Sequence, residues 1–193
     1  KRVQPDNVLL SYYYWKRKNL KKWIDNIGYK PDIIIDSGAY SAYNKGQNIN
    51  ILDYIDYIKE NIELINHYIN LDVIGNPELS YKFYEIMKME DLEPVPVYHY
   101  GSDLDYLKKY IKDGNNYIAL GNTAKRFSHN KSKIARWINN LIVQFPEINF
   151  HLLGSTSKKI IRGCPRLFST DSSSWITKAV NGQPQHIKSE TKK

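Results

Sequence analysis

One cysteine, Cys164, stands among 193 residues, so no disulfide closes within the chain and its cysteines cannot build a zinc site. No segment approaches the roughly 18 consecutive apolar residues of a membrane span, and no membrane partner is expected. Internal repeats, low-complexity tracts and Pro/Gly/Ser-rich linkers are also missing. A chain of this length without a linker reads as one domain, long enough to bury a real core. No signal-peptide pattern is visible, and the first residue is Lys1 rather than Met, which leaves the true start open. The lone thiol fits a reducing compartment, and the expectation is cytoplasmic.

Acidic residues are outnumbered. Lys and Arg total 28 against 20 Asp and Glu, for a net charge of +8 and a pI near 9.3. Such a balance favours polyanions, chiefly nucleic acid or an anionic surface. The joint abundance of Asn, Ile, Tyr and Lys also reads as coding bias, so charge alone leaves both readings standing. Aromatic residues make up 13% of the chain, and most are tyrosine.

What the sequence does contain is alternation. Short apolar runs predict strands at Val8–Tyr14, Asp32–Asp36, Tyr68–Ile74, Val95–Tyr100, Tyr117–Gly121, Asn149–Gly154 and Leu167–Asp171. Between them, 3.6-residue periodicity predicts helices at Asn19–Ile27, Ile51–Asn66, Leu79–Lys88, Leu104–Lys112, Lys131–Gln144 and Ser157–Gly163. Strand–helix repetition of this kind means α/β architecture with a parallel sheet and helices on its faces. The count favours a compact (β/α)8 TIM-type barrel over an open doubly wound sheet. After Asp171 only 22 residues remain (193 − 171). Trp175–Val180 reads as a helix or strand, Asn181-Gly182 as a turn, and the end as a charged tail. The expectation is one barrel-like domain over residues 1–180 and a tail over 181–193. The barrel is then either incomplete at its C-terminal end or completed by a strand preceding Lys1.

The chemistry-bearing residues gather at strand ends. The Ile33-Ile34-Ile35 run, apolar enough to be buried on both faces, leads straight into Asp36-Ser37-Gly38. Later strands end in Asp72, His99-Tyr100-Gly101, Gly121-Asn122, Gly154-Ser155 and Thr170-Asp171-Ser172. In α/β folds ligands bind outside the carboxyl ends of parallel strands, and in a barrel all these ends ring one mouth. Each residue alone has an ordinary reading. An Asp after a strand is a helix cap, His99 a hydrogen-bonded structural histidine, Gly121 and Gly154 turn glycines, and Cys164 a bystander. Three carboxylates in register argue for a pocket instead. Close carboxylates repel, which lifts one pKa so that group holds a proton near neutrality. An ionised neighbour is then able to attack an anomeric carbon. Glycosyl chemistry suits this set better than metal hydrolysis, which wants more histidine, and no metal or cofactor is expected.

Taken together, the motifs resemble the tRNA-guanine transglycosylase superfamily, particularly small phage-type and bacterial members related to queuine and archaeosine tRNA-ribosyltransferases. The resemblance runs from about Val8 to Trp175. Asp36-Ser37-Gly38-Ala39-Tyr40 is similar to that family's DSGGFQ segment. Leu71-Asp72 falls where the family places a base-recognising Asp, and His99-Tyr100-Gly101 where it has Gln-Gly-Gly. Leu120-Gly121 is similar to its base-binding loop, and Asp171 stands where it carries its nucleophile.

The resemblance implies a mechanism. Asp171 attacks C1′ of a guanosine in DNA or tRNA, giving a covalent intermediate, and a 7-deazaguanine replaces the guanine. Asp36 manages the proton of the incoming base. Asp72 reads the base's amino and ring N–H edge, and Ser37, Gly38, His99, Gly101, Gly121 and Gly154 complete the base site. The family's cysteine-rich zinc segment has no counterpart here. Ala39 and Tyr40 replace Gly and Phe, and His99 replaces Gln. Two other readings stay open: an N-glycosidase or deoxyribosyltransferase acting on free nucleosides or nucleotides, and a non-catalytic nucleic-acid-binding barrel.

Overall fold

The computed structural model describes residues 4–123, 130–155 and 157–172. Seven parallel strands occur in chain order: β1 (Asn7–Ser11), β2 (Asp32–Asp36), β3 (His67–Tyr68), β4 (Val97–His99), β5 (Tyr117–Gly121), β6 (Asn149–Leu152) and β7 (Ser169–Thr170). β1-β2-β3 form one sheet and β4-β5-β6-β7 a second, with a parallel bridge between Ile69 and Val95 joining them. The fold is therefore α/β with each strand beside its successor, as the alternation predicts. The closed eight-stranded barrel is not what the described residues form, because no ladder among them joins β7 back to β1. Trp175–Val180, read as a helix or strand, and the tail 181–193 lie outside the described residues.

The helices are α1 (Tyr12–Trp15), α2 (Leu20–Ile27), α3 (Ala39–Asn44), α4 (Ile51–Glu60), α5 (Pro77–Met89), α6 (Leu104–Lys112), α7 (Lys131–Gln144) and α8 (Lys158–Gly163). Asparagine starts most of the long ones: Asn19, Asn50, Asn76 and Asn130 each accept backbone N–H groups of the first turn through their side chains. Several elements depart from the sequence reading: the helix expected over Ile51–Asn66 ends at Glu60, and the strands expected over Val95–Tyr100, Asn149–Gly154 and Leu167–Asp171 are shorter. The strand expected over Val8–Tyr14 turns at Ser11 into α1, and a short helix, α3, follows Gly38. The strand expected over Tyr68–Ile74 shrinks to His67–Tyr68, because the Asn70 side chain takes over the pairing. Its Oδ1 accepts from Val97 N–H at 2.9 Å and its Nδ2 donates to the Ser80 carbonyl at 3.1 Å. Asn70 is fully buried and acts as a staple between β3 and β4.

The triple-isoleucine strand packs on both sides, with Ile33 and Ile35 fully buried and Ile34 partly so. Ile33 and Ile35 pack with Tyr54, Ile55 and Ile58 of α4, while Ile34 faces the opposite way. On that second face one cluster draws together Ile69, Val95, Val97 and Ala119, packed against Leu9, Ile34, Tyr117 and Leu153. Side chains from β1, β2, β4 and β5 thus share one apolar layer. Each such side chain contributes roughly 1.5–3 kcal/mol on burial. Tyr54 ties the helix layer to the strand ends, its hydroxyl donating to the Ile69 carbonyl at 2.7 Å, a bond that a buried phenol needs.

Candidate active site

The register of the strands decides what lies above the apolar layer. Ser11 pairs with Asp36 across β1 and β2, and His99 pairs with Gly121 across β4 and β5. One step lower, Ala119 pairs with His151 and His151 with Ser169. Side chains alternate along a strand. Asp36 therefore points to the same face as Ile34, His99 to the same face as Val97, and Asp171 to the same face as Ser169. The carboxyl ends of the strands carry these polar groups directly over the shared core.

Two carboxylate–imidazole pairs result. Asp72 Oδ2 lies 2.8 Å from His99 Nε2, both nearly buried, and Asp72 Oδ1 receives the Ser37 hydroxyl at 3.5 Å, the edge of hydrogen-bonding range. Asp171 Oδ1 lies 3.2 Å from His151 Nε2 and accepts the Gly154 N–H at 2.9 Å. Among the described residues no hydrogen bond falls on Asp171 Oδ2, and the side chain keeps 22% of its surface. A chain of hydroxyls fixes His151 from behind. Tyr117 Oη lies 3.1 Å from Ser169 Oγ, which lies 2.8 Å from His151 Nδ1. One set of protons satisfies every link: Tyr117 donates to Ser169, Ser169 to Nδ1, and Nε2–H to Asp171. Burial raises the Tyr117 pKa, and the Asp171 charge adds to this against the opposing Ser169 bond, so the phenol stays a donor.

Asp36 is the odd member. Its Oδ2 accepts the Gly38 N–H at 3.0 Å, and no imidazole or cation faces it among the described residues. Burial of the carboxyl, then the charges of Asp72 and Asp171, push its pKa from 3.8 to about 7, with the Gly38 bond pulling the other way. Burial is the main cause, and two further carboxylates in the same site add to it. A group with a pKa of about 7 exchanges its proton around neutral pH, and unlike Asp36 its two neighbours Asp72 and Asp171 each lie against an imidazole.

Two glycines are required by close approach. A Cβ on Gly121 would sit 2.5 Å from His99 Cδ2 and 2.9 Å from its Nε2, so only glycine lets the imidazole lie across β5. Gly38, with φ of +79°, would place a Cβ 2.4 Å from Ser11 Oγ and 2.5 Å from Tyr13 Cβ, which packs the Asp36 loop onto the start of α1. Ser37 is fully buried, its Oγ accepting the Ala39 N–H at 3.2 Å. Gly154 reaches the site through its N–H. Gly101 does not: it sits exposed in the turn after β4, with φ of +86° and open space around it.

His151 went unrecognised in the sequence, as did Ser169 and Tyr117. The available signal was polarity in the wrong place, a histidine in the middle of the Asn149–Leu152 strand whose neighbours are all core. Cys164 is buried against α7, its thiol directed at the Ala135 carbonyl, which does not fit a zinc ligand. Among the described residues no group of three or more His, Cys, Asp or Glu is arranged to hold a metal ion, and no helix is long and apolar enough to cross a membrane. No protein-family model matches the chain, and no curated protein matches it.

Proposed function

We propose that this protein is a base-exchange glycosyltransferase, a pentosyltransferase that replaces guanine in DNA or tRNA by a 7-deazaguanine. The observation that carries the reading is the pairing of two unlike carboxylates in one site. Burial and its carboxylate neighbours push Asp36 to a pKa of about 7, and Asp171 has one oxygen anchored and, among the described residues, no hydrogen bond on the other. That is the division of labour a double displacement at an anomeric carbon needs.

In the first step Asp171 Oδ2 forms a bond to C1′. The C1′–N9 bond breaks with its electron pair on the departing guanine, which takes the proton of Asp36. In the second step the incoming base loses its N9 proton to the Asp36 carboxylate, and N9 bonds to C1′. The C1′–Oδ2 bond breaks and the Asp171 carboxylate is restored. Asp72, fixed through Oδ2 by His99, meets the amino and ring N–H edge of the base with its remaining acceptor. The small residues Gly38, Gly121 and Gly154 let a flat ring approach the backbone. Atoms and electrons balance without a cofactor.

A barrel is the architecture that suits this chemistry. The consecutive strand order and the apolar layer shared by β1, β2, β4 and β5 support it. The cytoplasm is the compartment where nucleic acid and a lone reduced thiol meet. Incubation with a guanine-containing oligonucleotide or tRNA, radiolabelled guanine and a free 7-deazaguanine tests the proposal. Label should enter the polymer and be chased out by the 7-deaza base. Release of free base with no reincorporation, or turnover of nucleosides alone, would overturn it.

A further inference from the structure

We infer that the groove between α1 and the end of α3 is the docking track for a single-stranded nucleic acid, leading its target base toward Asp36. The inference rests on the proposed function only for where the strand leads. The groove itself encloses about 610 Å³ and is lined by Tyr13, Tyr14, Lys16, Arg17, Lys45 and Gln47, with Asn48 at its end. Three cations and no carboxylate line it. Among the described residues none of Lys16, Arg17 and Lys45 is paired with an acid. An unneutralised triple charge in one groove is the footprint of a phosphate backbone.

Rings complete the surface. Lys45 Nζ lies 5.1 Å from the Tyr13 ring centre and 5.2 Å from that of Tyr14, so one ammonium organises both aromatics. Tyr13 is held further by its hydroxyl, which donates to Gln47 Oε1. Tyr14 is 52% exposed, and Tyr43, on the neighbouring α3, 60%. Exposed tyrosine faces between cations are a stacking platform for unpaired bases. Position adds the last argument. Gly38, whose N–H binds Asp36, packs directly on Tyr13 Cβ, so the groove adjoins the carboxylate site. A free nucleoside would need none of this surface, whereas a polymer would.

Fluorescence anisotropy with the full chain and a fluorescein-labelled 12-nucleotide single strand containing one guanine tests the inference. The triple variant Lys16→Ala/Arg17→Ala/Lys45→Ala should bind at least about tenfold more weakly, and the slope of log K against log salt should shrink by about 2. Tyr14→Ala should weaken binding about fivefold or more, and Tyr14→Phe should retain it. Asp171→Asn, which cannot trap the strand covalently, should lose affinity by the same factor when the three cations are removed. If Asp171→Asn and the wild type bind alike and neither transfers a base, the groove stands and the chemistry proposed above falls. Unchanged affinity and salt slope in the triple variant would overturn the groove even if exchange proceeds. Retention of the protein on phosphatidylserine vesicles without binding to the oligonucleotide would also overturn it.

Discussion

Asp36→Asn should make this protein more stable, and increasingly so as pH rises toward 7. In the unfolded chain Asp36 ionises near 3.8, and in the folded protein near 7. Below 3.8 both states are protonated and the position is neutral with respect to folding. Between the two values the unfolded state releases a proton that the native state keeps, so stability falls as pH rises, and above about 7 the loss is complete. At 1.36 kcal/mol per pKa unit the full cost has a ceiling of about 4 kcal/mol. Asparagine is neutral throughout, and its Oδ1 is able to keep the Gly38 N–H bond. The variant should gain under about 1 kcal/mol at pH 4.5 and about 2–4 kcal/mol at pH 8. For a chain of this size the latter corresponds to roughly 5–15 °C in Tm. Urea denaturation at the two pH values measures the difference, and base exchange should be lost in the same variant. An Asp36→Asn protein no more stable than wild type at pH 8, or equally stabilised at both pH values, would refute the idea that Asp72 and Asp171 crowd a buried Asp36.

The same site and the core beneath it set four further expectations. Formation of the covalent intermediate without incoming base requires protonated Asp36, so its single-turnover rate should fall as pH rises through about 7; a flat profile from pH 6 to 8 would contradict the role of Asp36. His151→Ala removes one of the two anchors on Asp171 Oδ1 and should slow that step about 100-fold through misplacement of the nucleophile, read by the same single-turnover rate. Gly121→Ala drives a Cβ into His99 and should cost about 1–3 kcal/mol in urea denaturation, with the His99 ring resonances displaced by loss of Asp72. Asn70→Ala leaves the Val97 N–H without its partner in the core and should destabilise by about 2–4 kcal/mol while the far-UV spectrum stays native.

Legibility varied with length and period. Asp32–Asp36, Tyr117–Gly121, Leu104–Lys112 and Lys131–Gln144 have the bounds that apolar pattern predicts, because burial on one or both faces writes itself into composition. α1 and α3 have four and six residues, too few to display a helical period, and the Tyr12-Tyr13-Tyr14 run has the composition of a strand. The loss of ladder at Asn70 is a side-chain event that no backbone pattern announces. Within the site, Asp36, Asp72 and Asp171 were legible because a carboxylate at the end of an apolar run is conspicuous. Their partners were not all so. His99 stood at a strand end and drew notice, but its bond to Asp72 depends on Gly121 leaving room. His151 sat inside a strand, where only the register to Ser169 and Asp171 reveals its task. Gly101, read as part of the base site by its place in the chain, lies in an open turn apart from the carboxylates.

The central claim is that Asp171 becomes covalently attached to a sugar. Intact-protein mass spectrometry after acid quench of the wild type with a short guanine-containing oligonucleotide tests it most directly. The mass should rise by that of the oligonucleotide less one guanine, the adduct should map to the peptide holding Asp171, and Asp171→Asn should show none. An unmodified wild-type mass while guanine exchange proceeds, or an adduct that persists in Asp171→Asn, would contradict it.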